Sequence, residues 1–321
     1  MSSSTILIKD FEDWMNPQVI KMFSDFYGTP ENEIKITQKK FFNHPYQENR
    51  LIKIVALMGD KVIGFTSFSY WPYRNKGVLY KSFQVGNAMI HPEYRGKRIF
   101  PMLLKYVDDN HKKLGVDFLF AFPHLTASFP SFMRFGYTNP FDLVWGIKII
   151  NPFAFLFNYK KIINNFSDTA SVIEETETIH FKLERTRGFD DWFFASRAEN
   201  NYAYFNYEHG GDKVCFYLKV NKRGKWINEL IIGDIRTNSK HPDALKKSFN
   251  KLFSMVRKAK SISIISIAYN KSLKSYKSEI ISKEFRKIKP IIHFVYKNYL
   301  NEINLSNAAD WELYRADLDT W

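Results

Sequence analysis

The stretch from Ala88 to Val107 constrains this chain more than any other. An apolar run, Ala88-Met89-Ile90, leads into His91-Pro92-Glu93-Tyr94-Arg95-Gly96-Lys97-Arg98-Ile99-Phe100. Met102, Leu103, Leu104, Tyr106 and Val107 then follow at helical spacing. A strand, a short basic turn and a helix in direct succession aim several unpaired backbone N–H groups at one point. The positive end of the helix dipole lies at the same place, so the junction is a seat for an anion, above all a diphosphate.

The same alternation of strand and helix fills the rest of the first half. Thr5 to Ile8 reads as a strand, and Val19, Met22, Phe23 and Phe26 share one face of a helix over Pro17 to Phe26. Leu51 to Leu57 and Val62 to Tyr70 are strands joined by the hairpin turn Met58-Gly59-Asp60-Lys61. Val78 to Ile90 holds a further strand, or two joined ones. The helix after the basic turn ends near Gly115. Val116 to Phe122 is a short apolar strand suited to burial on both faces. A second helix is expected over about Ala127 to Phe135, ahead of Gly136-Tyr137.

Ser167 to Glu177 is polar and acidic and marks a boundary. It predicts two domains, residues 1–165 and 166–321. Beyond it come a strand at Ile179 to Leu183, a helix started by Asp190-Asp191-Trp192, and hairpin strands Val214 to Val220 and Trp226 to Ile235. A helix over Pro242 to Ala259, a strand Ser261 to Ile267, another helix and a strand Ile291 to Tyr296 complete the order, with Trp311 to Arg315 as a last strand. The order of elements echoes the first half, which points to an internal duplication. The expected fold class is α/β, of the mixed-sheet kind: two domains, each a central mixed β-sheet flanked by helices.

Composition narrows the partners. Of 321 residues 45% are hydrophobic and 25% charged, the profile of a folded soluble chain, and 17% are aromatic, ample for a core. The single cysteine, Cys215, allows no intrachain disulfide and fits a reducing cytoplasm, the expected location. A net charge of +14 suits an anionic partner: nucleic acid, a phosphorylated cofactor, a nucleotide-sugar or acidic lipid. Lysines are spread along the chain without a dense block interleaved with aromatics, which disfavours nucleic acid. No signal peptide is readable. Integral membrane insertion is disfavoured too, because Lys148, Asn151, Pro152 and Asn158 interrupt the apolar stretch Phe141 to Tyr159. That stretch reads as a strand followed by a buried helix carrying Phe153, Phe155, Leu156 and Phe157. The competing reading is an interfacial membrane anchor, since Lys160-Lys161 follows.

Residues 84–140 resemble motifs A and B of the Gcn5-related N-acetyltransferases, the GNAT superfamily. Ile90-His91-Pro92-Glu93-Tyr94-Arg95-Gly96-Lys97 matches the approach to the family's Gln/Arg-x-x-Gly-x-Gly/Ala turn. Phe129-Pro130-Ser131-Phe132-Met133-Arg134-Phe135-Gly136-Tyr137 matches the helix that ends in the family's aromatic, basic, apolar, Gly, aromatic pattern. Two motifs at the right separation make a strong signal. There are departures: Arg98 stands where the family's first motif glycine falls, Phe100 where its last small residue falls, and Phe132 where it commonly has a tyrosine general acid. Because Arg98 and Phe100 lie at the helix start, ordinary negative φ is expected for both. No equivalent turn occurs in the second half, which reads as a GNAT-like domain without a cofactor site, its C-terminal tail packing back on the first.

The resemblance implies an acyl-CoA-dependent N-acyltransferase. Acetyl-CoA or another acyl-CoA would be the donor, and a small or sugar-linked amine, such as an amino sugar or nucleotide-sugar, the acceptor. Met89 and Ile90 would pair with the pantetheine amides, and Arg95, Gly96, Lys97, Arg98, Ile99 and Phe100 would hold the diphosphate. A splay between that strand and Val116 to Phe122 would admit the thioester. For the base that frees the amine lone pair, the candidates are His124 and the C-terminal carboxylate of Trp321, with a water chain and no dedicated base as the alternative; no metal is called for. Tyr70, Trp71, Tyr73 and Phe83 are either a wall for a sugar or nucleotide base or ordinary core. Two other readings stand beside this one. One is a Fem-type aminoacyltransferase using aminoacyl-tRNA, against which the well-kept diphosphate turn argues. The other is a non-catalytic GNAT-like binding protein, supported by Arg98, Phe100 and Phe132.

Overall fold

The computed structural model describes residues 5–318 apart from 44, 47–49, 127, 174–178 and 196–200. In the first half the elements are β1 (Ile6–Asp10), α1 (Asn16–Tyr27), α2 (Glu31–Phe42), β2 (Ile52–Met58), β3 (Lys61–Tyr70), β4 (Tyr73–Asn75), β5 (Val78–Tyr80), β6 (Ser82–Ile90), α3 (Ile99–Leu114), β7 (Phe118–Ala121), α4 (Phe129–Arg134) and β8 (Thr138–Ile149). The second half holds β9 (Lys182–Leu183), α5 (Arg187–Ala195), β10 (Tyr202–His209), β11 (Asp212–Arg223), β12 (Ile227–Thr237), α6 (Pro242–Ala259), β13 (Ile264–Asn270), α7 (Tyr276–Glu284) and β14 (Arg286–Asn298).

One sheet of eleven strands runs in the order β1-β2-β3-β6-β7-β14-β8-β13-β12-β11-β10, with a small β5-β4-β9 sheet beside it. In the large sheet β6–β7 and β12–β13 are parallel and the other neighbours antiparallel. A parallel pair needs a crossover, and α3 and α6 supply it. Read inward from either end, the sheet gives antiparallel strands and then a parallel pair closed by its helix. At the centre the two final strands are exchanged. β14 pairs with β7 of the first half (Val295 opposite Ala121), and β8 pairs with β13 of the second (Ala268 opposite Trp145). The exchange leaves neither β7 nor β13 with an open edge. The mixed α/β fold and its two GNAT-like halves are thus present, and they share one sheet.

Helices cover both faces. Val19, Met22 and Phe23 of α1 pack on Val55, Leu57, Val62 and Phe65. Leu103, Leu104 and Val107 of α3 cover Ile54, Ile63 and Val85 on the opposite face. In the second half Phe249, Leu252, Phe253 and Val256 of α6 do the same for β11–β13. An aromatic core joins the halves around Trp311, whose ring centroid lies 5.4 Å from Tyr73 and 4.9 Å from Phe294. Tyr70, Trp71, Tyr73 and Phe83 are all buried and serve as core, although Tyr70 and Phe83 also edge a second cleft beside Arg50 and Lys81.

The structure corrects several expectations. Phe153 to Phe157 form no buried helix: Ala154–Leu156 is a 3-10 turn, and Phe153, Leu156 and Phe157 face outward. The run is too short for a stable helix, and the buried Asn228 amide holds the carbonyls of Ala154 and Phe157 at 2.7 and 3.3 Å. The helix expected over 127–135 is the six-residue α4; Ala127 lies outside the described residues. Trp311 to Arg315 is no strand, making only isolated bridges at Trp311 and Tyr314 between 3-10 turns. α5 begins at Arg187, three residues ahead of the expected start, and Asp190 lies in its first turn. The polar α2, which buries no residue, gave no apolar stripe to read.

Candidate active site

β6 and β7 pair only from Ser82 to Gln84, opposite Phe118 to Phe120. Beyond Gln84 the two strands part, which exposes the backbone edge of β6 through Met89 and Ile90. A bulge helps to turn that edge. The β3–β6 register shifts between Phe65 and Ser67, and Asn87 adopts the left-handed conformation at φ +47°. Its amide donates to the Ser67 hydroxyl at 3.1 Å.

The chain leaving β6 makes a short 3-10 turn, Pro92–Tyr94, and enters α3. Among the described residues the N–H groups of Gly96, Arg98, Ile99 and Phe100 meet no acceptor, as expected for a helix start that awaits an anion. Gly96 sits at φ +80°, a conformation that glycine alone adopts without strain. Arg98 corrects the sequence reading: it caps α3 at φ +59°, ψ +25°, in the left-handed region. The backbone keeps the shape that glycine would give, with an arginine in its place. That conformation costs a non-glycine residue about 1 kcal/mol. Arg98→Gly should therefore raise stability by about 1 kcal/mol, read as a higher midpoint in thermal denaturation; a fall would show that the arginine backbone carries no strain. Phe100 has the expected helical geometry.

A cleft of about 970 Å³ lies over this turn. Its floor is Ala88, Met89 and Ile90; Arg95, Gly96, Arg98, Ile99 and Phe100 form one wall, and Ser128, Ser131, Arg134 and Phe135 face them from α4 and the chain around it. Phe26 and Tyr27, at the end of α1, close the remaining side and are largely exposed. Arg95, Arg98 and Arg134 are its charged lining, with no carboxylate among the lining residues, so its field favours an anion. The nearby Glu93 is engaged by Lys61 at 3.3 Å. Arg95 donates to the Ile90 carbonyl and lies over the Phe26 ring, and the Lys97 ammonium lies 4.7 Å from the Tyr94 ring centroid, outside the lining. The two apolar departures from the motif meet: Phe100 and Phe132 pack edge to face at 5.3 Å. The contact explains why the small residue and the tyrosine are absent together, since a phenyl pair fills the space.

Of the candidate bases, His124 lies on the exposed loop between β7 and α4 and is not in the cleft lining. Its Nδ1 is 3.2 Å from the Thr126 hydroxyl, and its backbone N–H donates to the Ser128 hydroxyl at 3.1 Å. Trp321 falls outside the described residues. Sequence reasoning missed His293 on the exchanged strand β14. Its Nδ1 is 2.8 Å from Asp142, and its ring stacks on Phe129 of α4 at 4.3 Å. Phe26 and Tyr27 were also missed, because a wall made by a distant helix leaves no local signature. Arg134 stood within the recognised motif but was given no role. Among the described residues no group of three or more His, Cys, Asp or Glu is placed to hold a metal, and no helix is long and apolar enough to cross a membrane.

The second half has a comparable parting of strands: β12 and β13 pair from Glu229 to Ile232 and then separate. Here the gap is filled. Residues 311–318 pass through it, with Asn270 N–H donating to the Leu313 carbonyl at 3.1 Å and Tyr269 bridging Tyr314. Around them Arg185 faces Asp190, Asp234 and Asp317, and Lys277 donates to Glu312 at 2.7 Å.

Strands that part beside an open helix start, with a cationic cleft above, make an arrangement able to receive an anionic ligand. Residues 8–139 match the acetyltransferase (GNAT) domain family. No curated protein matches the chain. Among solved structures it is similar to a GCN5-related N-acetyltransferase from Anabaena variabilis, at 12% identity and TM-score 0.63, over 92% of this chain and 73% of that one. A probable N-acyltransferase from Enterococcus faecalis aligns over the same shares, 92% and 73%, at 11% identity and TM-score 0.57. N-myristoyltransferase from Saccharomyces cerevisiae, solved with myristoyl-CoA, aligns at 12% identity and TM-score 0.50, covering 92% and 83%. At such identities these likenesses speak to the fold.

Proposed function

We propose that the chain transfers an acyl group, acetyl in the first instance, from acyl-CoA to the amine of a small or sugar-linked acceptor. The observation that carries this reading is the coincidence of the β6–β7 parting with the open amides of Gly96, Arg98, Ile99 and Phe100. A diphosphate at those amides would leave the pantetheine arm along Met89 and Ile90, where a free strand edge can receive its amide groups. Arg95, Arg98 and Arg134 line the same cleft and supply charge for the phosphates. The chain divides at 165/166, the first half carrying the site and the second serving as scaffold. Residues 311–318 occupying the second parting support that division.

In the reaction the acceptor nitrogen bonds to the acyl carbon as the C–S bond breaks. The amine proton must leave, and the thiolate must be protonated. The cleft lining holds no carboxylate or imidazole, so the base lies at the rim, and His124 is the ionisable side chain of the loop between β7 and α4. His124→Ala should lower kcat/KM by about a hundredfold without changing cofactor affinity; undiminished turnover would dismiss it. Lys97→Glu places a negative charge beside the diphosphate seat and should weaken acetyl-CoA binding by about tenfold. Unchanged affinity would place the phosphates elsewhere. The function itself is tested by release of free CoA thiol from acetyl-CoA across a panel of amines, amino sugars and amino-sugar nucleotides. A lack of turnover with every amine would sink the reading.

A further inference from the structure

The acyl-transfer reading leaves one surface of the molecule unused. It lies where β8 ends and where β12 begins. Phe153, Leu156 and Trp226 are 67%, 72% and 65% exposed, and Ile149 and Phe157 stand outward beside them. This is a built surface. Asn228, buried beneath it, donates from its amide nitrogen to the carbonyls of Ala154, Phe157 and Ser261 at 2.7, 3.3 and 3.0 Å, tying the 3-10 turn to β12 and β13. The Phe155 ring packs edge to face with Trp226 at 5.1 Å. A rigid frame therefore holds large apolar side chains in water, an arrangement that marks an interaction site.

The charges around the patch are predominantly positive, and Glu284, which shares a cleft with Ile149, is engaged by Lys148 at 2.9 Å. The sequence has no acidic residue between Asp142 and Asp168, and none between Asp212 and Glu229. Lys160, Lys161, Lys222 and Lys225 are exposed there, while Glu229 is buried and taken by Arg223 at 2.8 Å. A second copy of the chain would set lysines against lysines, so the patch does not complement itself. Exposed Phe, Leu and Trp ringed by lysines fit the boundary of an anionic bilayer: the apolar groups enter among the headgroups and the ammonium groups meet the phosphates.

We propose that this surface docks the protein on membranes containing anionic phospholipid, independently of what the cleft does. The experiment is co-sedimentation of the full chain with vesicles of phosphatidylcholine, alone or mixed with phosphatidylglycerol. Binding is expected to the mixed vesicles, falling as salt is raised, and little to phosphatidylcholine alone. The triple variant Phe153→Ser, Leu156→Ser, Trp226→Ser should lose it. Lys160→Glu with Lys161→Glu should weaken it by more than about tenfold, since each lysine near the surface is worth about fivefold. All five positions are exposed, and an unchanged thermal midpoint confirms that each variant folds. The proposal is overturned if wild type ignores the mixed vesicles or if the triple variant binds as well. A dimer in sedimentation velocity that Trp226→Ser disperses would likewise overturn it, by showing a second copy on the patch.

Discussion

Arg185→Met should destabilise the protein by about 3–5 kcal/mol, enough to bring most domains near unfolding. The guanidinium side chain is 1% exposed and stands 3.4 Å from Asp190, 3.4 Å from Asp317 and 3.9 Å from Asp234. Burial pushes Asp234 up, but Lys182, Arg236 and Arg185 more than offset that and hold its carboxyl below the usual range. Burial carries Asp317 up to about 7 even with Arg185 beside it. Removal of the arginine takes the nearest cation from Asp317 and leaves Arg236 to face Asp190 and Asp234 at 3.9 and 3.4 Å, so the buried carboxylates lose compensation or take up protons. Methionine fills similar volume, so the loss reads the charge rather than a cavity. Urea denaturation at neutral pH measures it, and a loss below about 1 kcal/mol, the scale of an exposed ion pair, would mean that Arg236, Lys182 and Lys277 suffice. The cluster lies where the second half has its own parting of strands, so the same residues that fill that gap hold the C-terminal segment in place.

Gly96→Val should weaken acetyl-CoA binding by about a hundredfold or more, and kcat/KM with it. No atom stands within 4 Å of the position a Cβ would take, so the effect is conformational rather than a clash. At φ +80° a β-branched residue is a genuine outlier, and the turn must rearrange to accept it. Loss of two charge-assisted hydrogen bonds from displaced amides, at about 1.5 kcal/mol each, gives a factor of that size. The fold should survive, because Gly96 makes none of the core. Calorimetry with the variant checks the prediction, and wild-type affinity would show that the amides do not hold the phosphates.

Most of the first half's order was legible because its strands and helices carry unambiguous periods. Val19, Met22 and Phe23, or Leu103, Leu104 and Val107, can face only one way. The seat was legible for a different reason: Gly96 and the residues around it state a backbone shape locally. What was not legible depends on partners distant in sequence. β14 pairs with β7 across more than 170 residues (Val295 with Ala121), and nothing local in Ile291 to Tyr296 names that neighbour. The exposure of Phe153 and Leu156 was misread because apolarity alone does not separate a buried turn from one held outward by Asn228. The positive φ of Arg98 was misjudged because sterics favour negative φ for an arginine, and the family glycine was the better guide. Phe100 and Phe132 were read as separate departures, whereas their contact makes them one.

The turn at Gly96 to Phe100 is expected to seat the phosphates of an acyl-CoA, in the first half alone. Calorimetric titration of the full chain with acetyl-CoA tests it most directly, with Gly96→Val measured alongside. One site per chain is expected, with a dissociation constant below about 1 mM, nearly abolished in the variant. No heat at millimolar cofactor, or two equal sites per chain with the variant unaffected, would contradict it.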